Sequence, residues 1–164
     1  MTNTNIAATG ANCPALLRTH GGTRLALIAE SYQRLTGKAL IAAGSDPASA
    51  LWSLPQVVLA HSTEDDPIFF FGNRQALELF ELTAEQVIAM PSRLSAEPML
   101  REARESLLQR VTRHGYIDDY EGIRISSSGK RFVIKAATVW NLIDEHGTNH
   151  GQAATFSQWQ MLQD

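Results

Sequence analysis

Apolar residues recur every three or four positions from Leu25 onward. Leu25, Ile28, Tyr32 and Leu35 share one face of a helix, and Arg24, Glu30, Gln33 and Arg34 fall elsewhere on it. Gly21-Gly22 opens the pattern and Gly37 or Gly44 closes it, whereas residues 1–20 are small, polar and broken by Gly10 and Pro14, which predicts a loose arm. Ser45-Asp46-Pro47 predicts a short helical turn through Leu51, ended by Leu54-Pro55. The runs Val57–Ser62 and Ile68–Asn73 flank an acidic turn with Asp66-Pro67, the pattern of a β-hairpin. Asn73 is placed to cap a helix whose Ala76, Leu77 and Phe80 share a face. Thr83-Ala-Glu-Gln86 is a capping box opening a short helix to Met90, stopped by Pro91.

Beyond the Pro-bounded loop 91–98 the helical period returns. From Met99 to His114 it places Ala103, Leu107, Leu108 and Val111 inward and Arg101, Glu102, Arg104, Glu105, Arg110 and Arg113 outward, with Gly115 as terminator. The remainder reads as strands. Residues 116–126 alternate, Ile123 and Ile125 on one side and Arg124 on the other; 127–130 turn; 131–143 alternate with Phe132, Ile134, Ala136, Thr138, Trp140 and Leu142 on one face; 144–151 turn again; 152–161 form a last strand. Two strands, a helical crossover and three strands predict an α+β fold, a five-stranded antiparallel sheet with helices on one face plus an N-terminal flanking helix.

Composition narrows the class without naming a chemistry. The chain has 164 residues, 44% hydrophobic and 19% charged, which suits one globular domain. Fourteen Lys and Arg against seventeen Asp and Glu leave a charge of −3, which speaks against nucleic-acid binding through phosphate neutralisation. The one cysteine, Cys13, cannot form an intrachain disulfide, so a reducing, cytoplasmic setting is expected. No apolar run reaches the ~18–20 residues of a membrane span and no signal peptide is evident. The expected layout is a flexible arm over 1–21, a flanking helical segment over 22–50 and the sheet domain over 51–164.

The stretch DPIFFFGNRQALELFELTAEQV resembles the early strand and helix of PAS domains. The phrases GIRISSSGKRF, ATVW and FSQW, in that order, resemble the C-terminal strands of the MEKHLA domain, a PAS-like family found alone in bacteria and at the C-terminus of plant homeodomain–leucine zipper proteins. The likeness runs from about Leu51 to Trp159. It implies a PAS-like fold, stand-alone and bacterial in type, with a sensory or interaction role, and it names no cofactor. Light-sensing PAS domains need a reactive cysteine in the first helix. The matching stretch here, Asn73-Arg74-Gln75-Ala76, has none, which excludes that flavin photochemistry.

A PAS-like sheet faces its helices across a small pocket. Phe132, Ile134, Ala136, Thr138 and Trp140 on the sheet, with Leu77, Phe80 and Val87 opposite, are the candidate lining, and small Ala136 and Ala137 leave room beside Trp140. Complete filling of that core is the competing expectation. His114, ending the long helix, is the best-placed ligand or acid–base group and the first choice for a haem iron, ahead of His61, His146 and His150, although a helix-terminal His more often interacts with the last carbonyls and the helix dipole. Arg93 is the candidate anchor for an anion, although Glu97–Arg101 and Arg101–Glu105 pairings suit a solvated helix face. His146 and His150 lie in a turn that does not hold metal geometry, and Glu64, Asp65, Asp66, Asp118, Asp119 and Glu121 suit turns and exposed strands. No metal site or catalytic residue is assigned.

The expected function is a sensory module that binds a small apolar or anionic ligand and signals to an unknown protein partner in trans. A homodimer through the flanking helix and outer sheet face is also expected, with no nucleic-acid or membrane partner. The rival readings are a small enzyme using His114 or a nearby carboxylate, and a ligand-free dimerisation scaffold.

Overall fold

The computed structural model describes residues 12–96 and 101–163. Among the described residues thirteen elements follow one another: α1 (Ala15–Gly21), α2 (Arg24–Thr36), α3 (Pro47–Ser53), β1 (Val57–His61), β2 (Phe69–Gly72), α4 (Arg74–Phe80), α5 (Ala84–Val87), a 3-10 turn (Ser92–Ser95), α6 (Arg101–His114), β3 (Tyr116–Ile125), β4 (Arg131–Ile143), β5 (Asn149–Phe156) and β6 (Gln158–Met161).

Local chemistry sets the boundaries. Gly37 ends α2 in the left-handed conformation at φ 77°, a position that favours glycine. The Asp46 carboxylate accepts from the Ser49 backbone N–H at 3.1 Å, and Pro47 pre-sets the first turn of α3. Thr83 and Gln86 close both bonds of the predicted capping box. Asn73 does more than cap. Its Oδ1 accepts from Ala76 and Val58 N–H groups while its Nδ2 donates to the Leu51 and Gln56 carbonyls, so one buried amide ties α3, β1 and α4 together. The expected arm differs at its end: Ala15–Gly21 is helical, with Leu17 fully buried, because Leu17 has an apolar core to enter. Residues 1–11 of the arm, and Glu97 with its pairing to Arg101, lie outside the described residues.

The antiparallel sheet runs β2-β1-β5-β4-β3, with β6 also on β4. Thr138 pairs with Thr155 and Phe132 with Met161, one residue step on β4 matching one step across β5 and β6. The two are therefore a single strand in register, interrupted at Ser157. Opposite Ser157, Ala136 adopts φ 51°, and the β3–β4 register shifts between the Tyr120–Ala137 and Gly122–Ile134 pairs. This is a β-bulge, which reverses the alternation of the strand. Phe132 and Ile134 face inward before it. Beyond it, Val139 joins Leu107 and Val111 of α6, while Trp140 points to the other face.

That second face is covered as well. The Trp140 indole N–H donates to Ser31 Oγ on α2 at 3.0 Å, and the Tyr32 ring meets Trp140 edge-on, centroids 4.9 Å apart. Leu25 and Ile28 are buried and Tyr32 and Leu35 half-buried against the same core, so the apolar stripe of α2 packs on its own sheet. No helix among the described residues is long and apolar enough to cross a membrane.

Candidate functional site

Between the inner sheet face and α6 lies a cavity of about 60 Å³, room for a handful of heavy atoms. Most of its wall is apolar: Leu59 and Phe69 from the hairpin, Phe80 from α4, Leu107 and Leu108 from α6, and Ile134, Val139, Ala154 and Phe156 from the sheet. Six polar side chains break that wall, namely His61, Ser95, Arg104, Tyr120, Arg124 and Gln152.

Arg104 and Arg124 are both about nine-tenths buried, and among the described residues neither forms an ion pair with a carboxylate. Arg104 Nη2 donates to Ser92 Oγ at 2.6 Å, on the 3-10 turn. Arg124 Nη1 donates to the Ile123 carbonyl at 3.0 Å, and its guanidinium carbon lies 5.0 Å from the Tyr120 ring centroid. Burial, with the Arg124 charge next in size, pushes Arg104 down to about 10, which still leaves it protonated at neutral pH.

His61 ends β1 against Phe69, ring centroids 6.5 Å apart. Its Nδ1 lies 3.0 Å from the Ser62 carbonyl and so carries the proton of the neutral ring, leaving Nε2 as an acceptor. Burial holds His61 well below its ordinary value, at about 4, with the Arg104 charge acting the same way. Gly151 makes this corner possible. At φ 141°, a Cβ there would sit 2.0 Å from the His61 carbonyl oxygen.

Gln152 is fixed by a chain of amides. The Val111 carbonyl accepts from Asn141 Nδ2 at 3.0 Å, so Asn141 Oδ1 is the acceptor for Gln152 Nε2 at 2.9 Å. Gln152 Oε1 is left buried without a partner.

The predicted site residues divide. Phe80 and Ile134 line the cavity. Phe132 sits just behind, its ring edge-on to Phe80 with centroids 5.1 Å apart, and Leu77 and Val87 pack around Gly72 and Leu59. Ala136, Thr138 and Trp140 were expected beside Phe132 and Ile134. The bulge moves Trp140 and Thr138 to the α2 face and leaves Ala136 exposed at the bulge itself. His114 is exposed at the end of α6 and does not reach the cavity. Arg93 is exposed too, and its Nε holds the Asp66 carboxylate at 3.0 and 3.2 Å. His146 and His150 do not converge: His146 is exposed, while His150 Nε2 lies 2.8 Å from Asp144 Oδ2. Among the described residues no group of three His, Cys, Asp or Glu could hold a metal ion.

Arg104 was assigned to solvent, and it is buried while Ala103 is exposed. The spacing carried a hint, since 104, 107, 108 and 111 form the i, i+3, i+4, i+7 stripe more closely than 103 does. Arg124 and Gln152 gave no such hint, because a polar residue on an alternating strand is ordinarily on the solvent face.

Solved structures with similar folds include PAS domains. One from Colwellia psychrerythraea superposes with a TM-score of 0.59 at 16% identity, covering 70% of this chain and 92% of that one. A PAS domain of a LuxR-family transcriptional regulator from Burkholderia thailandensis, in complex with ethanol, gives 0.55 at 14% identity over 72% and 98%. In sequence, homeobox-leucine zipper protein ATHB-14 of Arabidopsis thaliana is 31% identical over 146 residues, and ATHB-9 is 28% identical over 143. Each alignment covers 82% of this chain but only 17% of the plant protein. The MEKHLA domain model matches residues 23–161, so it takes in α2 as well as the sheet and extends well ahead of Leu51. With a PAS-like sheet, a helix-roofed cavity and that match across most of its length, the chain belongs to the MEKHLA domain family.

Proposed function

We propose that this PAS-like domain is a sensor that holds a small molecule between the sheet and α6 and reports it by altering a contact with another protein. The cavity is the observation that carries this reading: it is lined mostly by apolar side chains and bordered by polar residues of α6, β1, β3 and β5. The small molecule recorded with the Burkholderia thailandensis PAS domain supports a ligand of that scale. A route outward also exists. On β4, Val139 lines the cavity, Trp140 seats α2 and Asn141 holds the last turn of α6, so three consecutive residues touch ligand space and both helical layers. An occupant that favours one packing of α2 or α6 over another would shift their populations.

Native mass spectrometry of the purified protein, paired with its absorbance spectrum, tests the reading. The expected result is a subunit carrying extra non-covalent mass, released on unfolding, with no haem or flavin band, because the cavity is too small for either group. A bare subunit that gains no thermal stability from any small metabolite would refute it.

A further inference from the structure

We propose that the cavity receives a small organic anion, its carboxylate between Arg104 and Arg124 and its hydroxyl or amine donating to Gln152 Oε1. This rests on the reading of the cavity as a ligand site and adds the chemical class of the ligand.

Two independent features point the same way. The first is charge. A guanidinium taken out of water without an anionic partner is costly, and a second like charge in the same enclosure adds to it. Arg104 and Arg124 line one cavity, each repels the other, and each makes one hydrogen bond to a neutral oxygen among the described residues. Each guanidinium carries roughly five N–H donors, so most of both forks remain open to an acceptor. A carboxylate satisfies such a fork with charge-assisted, paired bonds.

The second is Gln152. Its amide could in principle turn over and offer N–H groups to the cavity. The Val111–Asn141–Gln152 chain prevents this, because the Val111 carbonyl can only accept. Gln152, at the cavity wall, therefore keeps Oε1 as a buried acceptor without a partner. His61, uncharged near neutral pH, adds no third positive charge. A ligand suited to this lining carries one anionic end, one donor and a short apolar body against Phe80, Leu107 and Val139.

Glycolate, lactate and mandelate are suitable probes of increasing size. Their amides remove the charge, and acetate, propionate and phenylacetate remove the donor. Titration calorimetry and thermal melts of the full chain, stripped of any co-purified ligand by unfolding and refolding, should show at least one hydroxy acid binding. Its amide should bind at least about tenfold more weakly, and its deoxy partner should also be weaker. Arg104→Gln and Arg124→Gln should each lose about tenfold or more in hydroxy-acid affinity without lowering the melting temperature of the free protein. Amides binding as tightly as acids, with both arginine variants unaffected, would overturn the anionic class while leaving a ligand cavity. No binding by acid or amide and no co-purified mass would overturn the class and the sensor reading together.

Discussion

Arg104 and His61 show how burial rather than residue type decides what a side chain contributes. On α6 an arginine occupies the apolar stripe, and on β1 a histidine ends a strand whose every residue is buried. His61 has a consequence for pH. Its folded value, about 4, lies below the ordinary 6.5, so the folded protein refuses a proton that the unfolded chain accepts. Above the ordinary value both states are neutral and His61 is indifferent. As pH falls from about 6.5 to about 4, stability is lost by up to about 3 kcal/mol. Asp144, held at about 2 by the His150 ring and the Thr148 and His146 N–H groups, loses its own contribution only below its ordinary 3.8. Urea unfolding at successive pH values should therefore show a His61→Gln variant with a flatter profile between pH 6.5 and 4 and an unchanged fall below that. A parallel profile for the variant would mean that His61 is not the buried titrating group. Asn73 was legible as a cap from its place before an Ala/Leu helix; its second pair of bonds, to the Leu51 and Gln56 carbonyls, was not, because those partners lie about twenty residues away.

At the level of elements, the decisive feature is one residue in β4. Strand alternation alone puts Phe132, Ile134, Ala136, Thr138 and Trp140 on one face, and a bulge at Ala136 splits that set between two. Nothing in RFVIKAATVWNLI announces the bulge, since alanine is neither a turn former nor at ease at positive φ. It arises where β3 and β4 lose register around Tyr120, a long-range event. Variants test this. Ala136→Gly relieves about 1 kcal/mol of left-handed strain and gives up a similar amount to unfolded-chain freedom, so its stability should stay within about 0.5 kcal/mol of the parent. Ala136→Val, branched at Cβ and exposed either way, should cost about 1–2 kcal/mol, because valine resists positive φ. Deleting Ala136 would turn Trp140 from α2 toward α6 and should abolish cooperative unfolding by circular dichroism. Equal stability for Val and Gly at this position would argue against the bulge.

Taken whole, the molecule is a sheet between two helical layers, and the flanking helix is one of them. Ser31 and Tyr32 of α2 cover Trp140, and the family match beginning at residue 23 includes that helix. A chain lacking residues 1–50 uncovers Trp140 and should lose its cooperative urea transition; a truncated form with an unchanged midpoint would show that α2 is an appendage. The sequence by itself determined the elements and their order, because helix period, strand alternation, caps such as Thr83 and stops such as Gly37 act over a few residues. Its quoted phrases also carried the family. The tertiary structure alone decided which face each strand residue took, that α2 closes the outer face, and that Arg104, Arg124 and Gln152 converge on one cavity. Those outcomes depend on register and packing between segments far apart in the chain, where a shift of one residue reverses inside and outside.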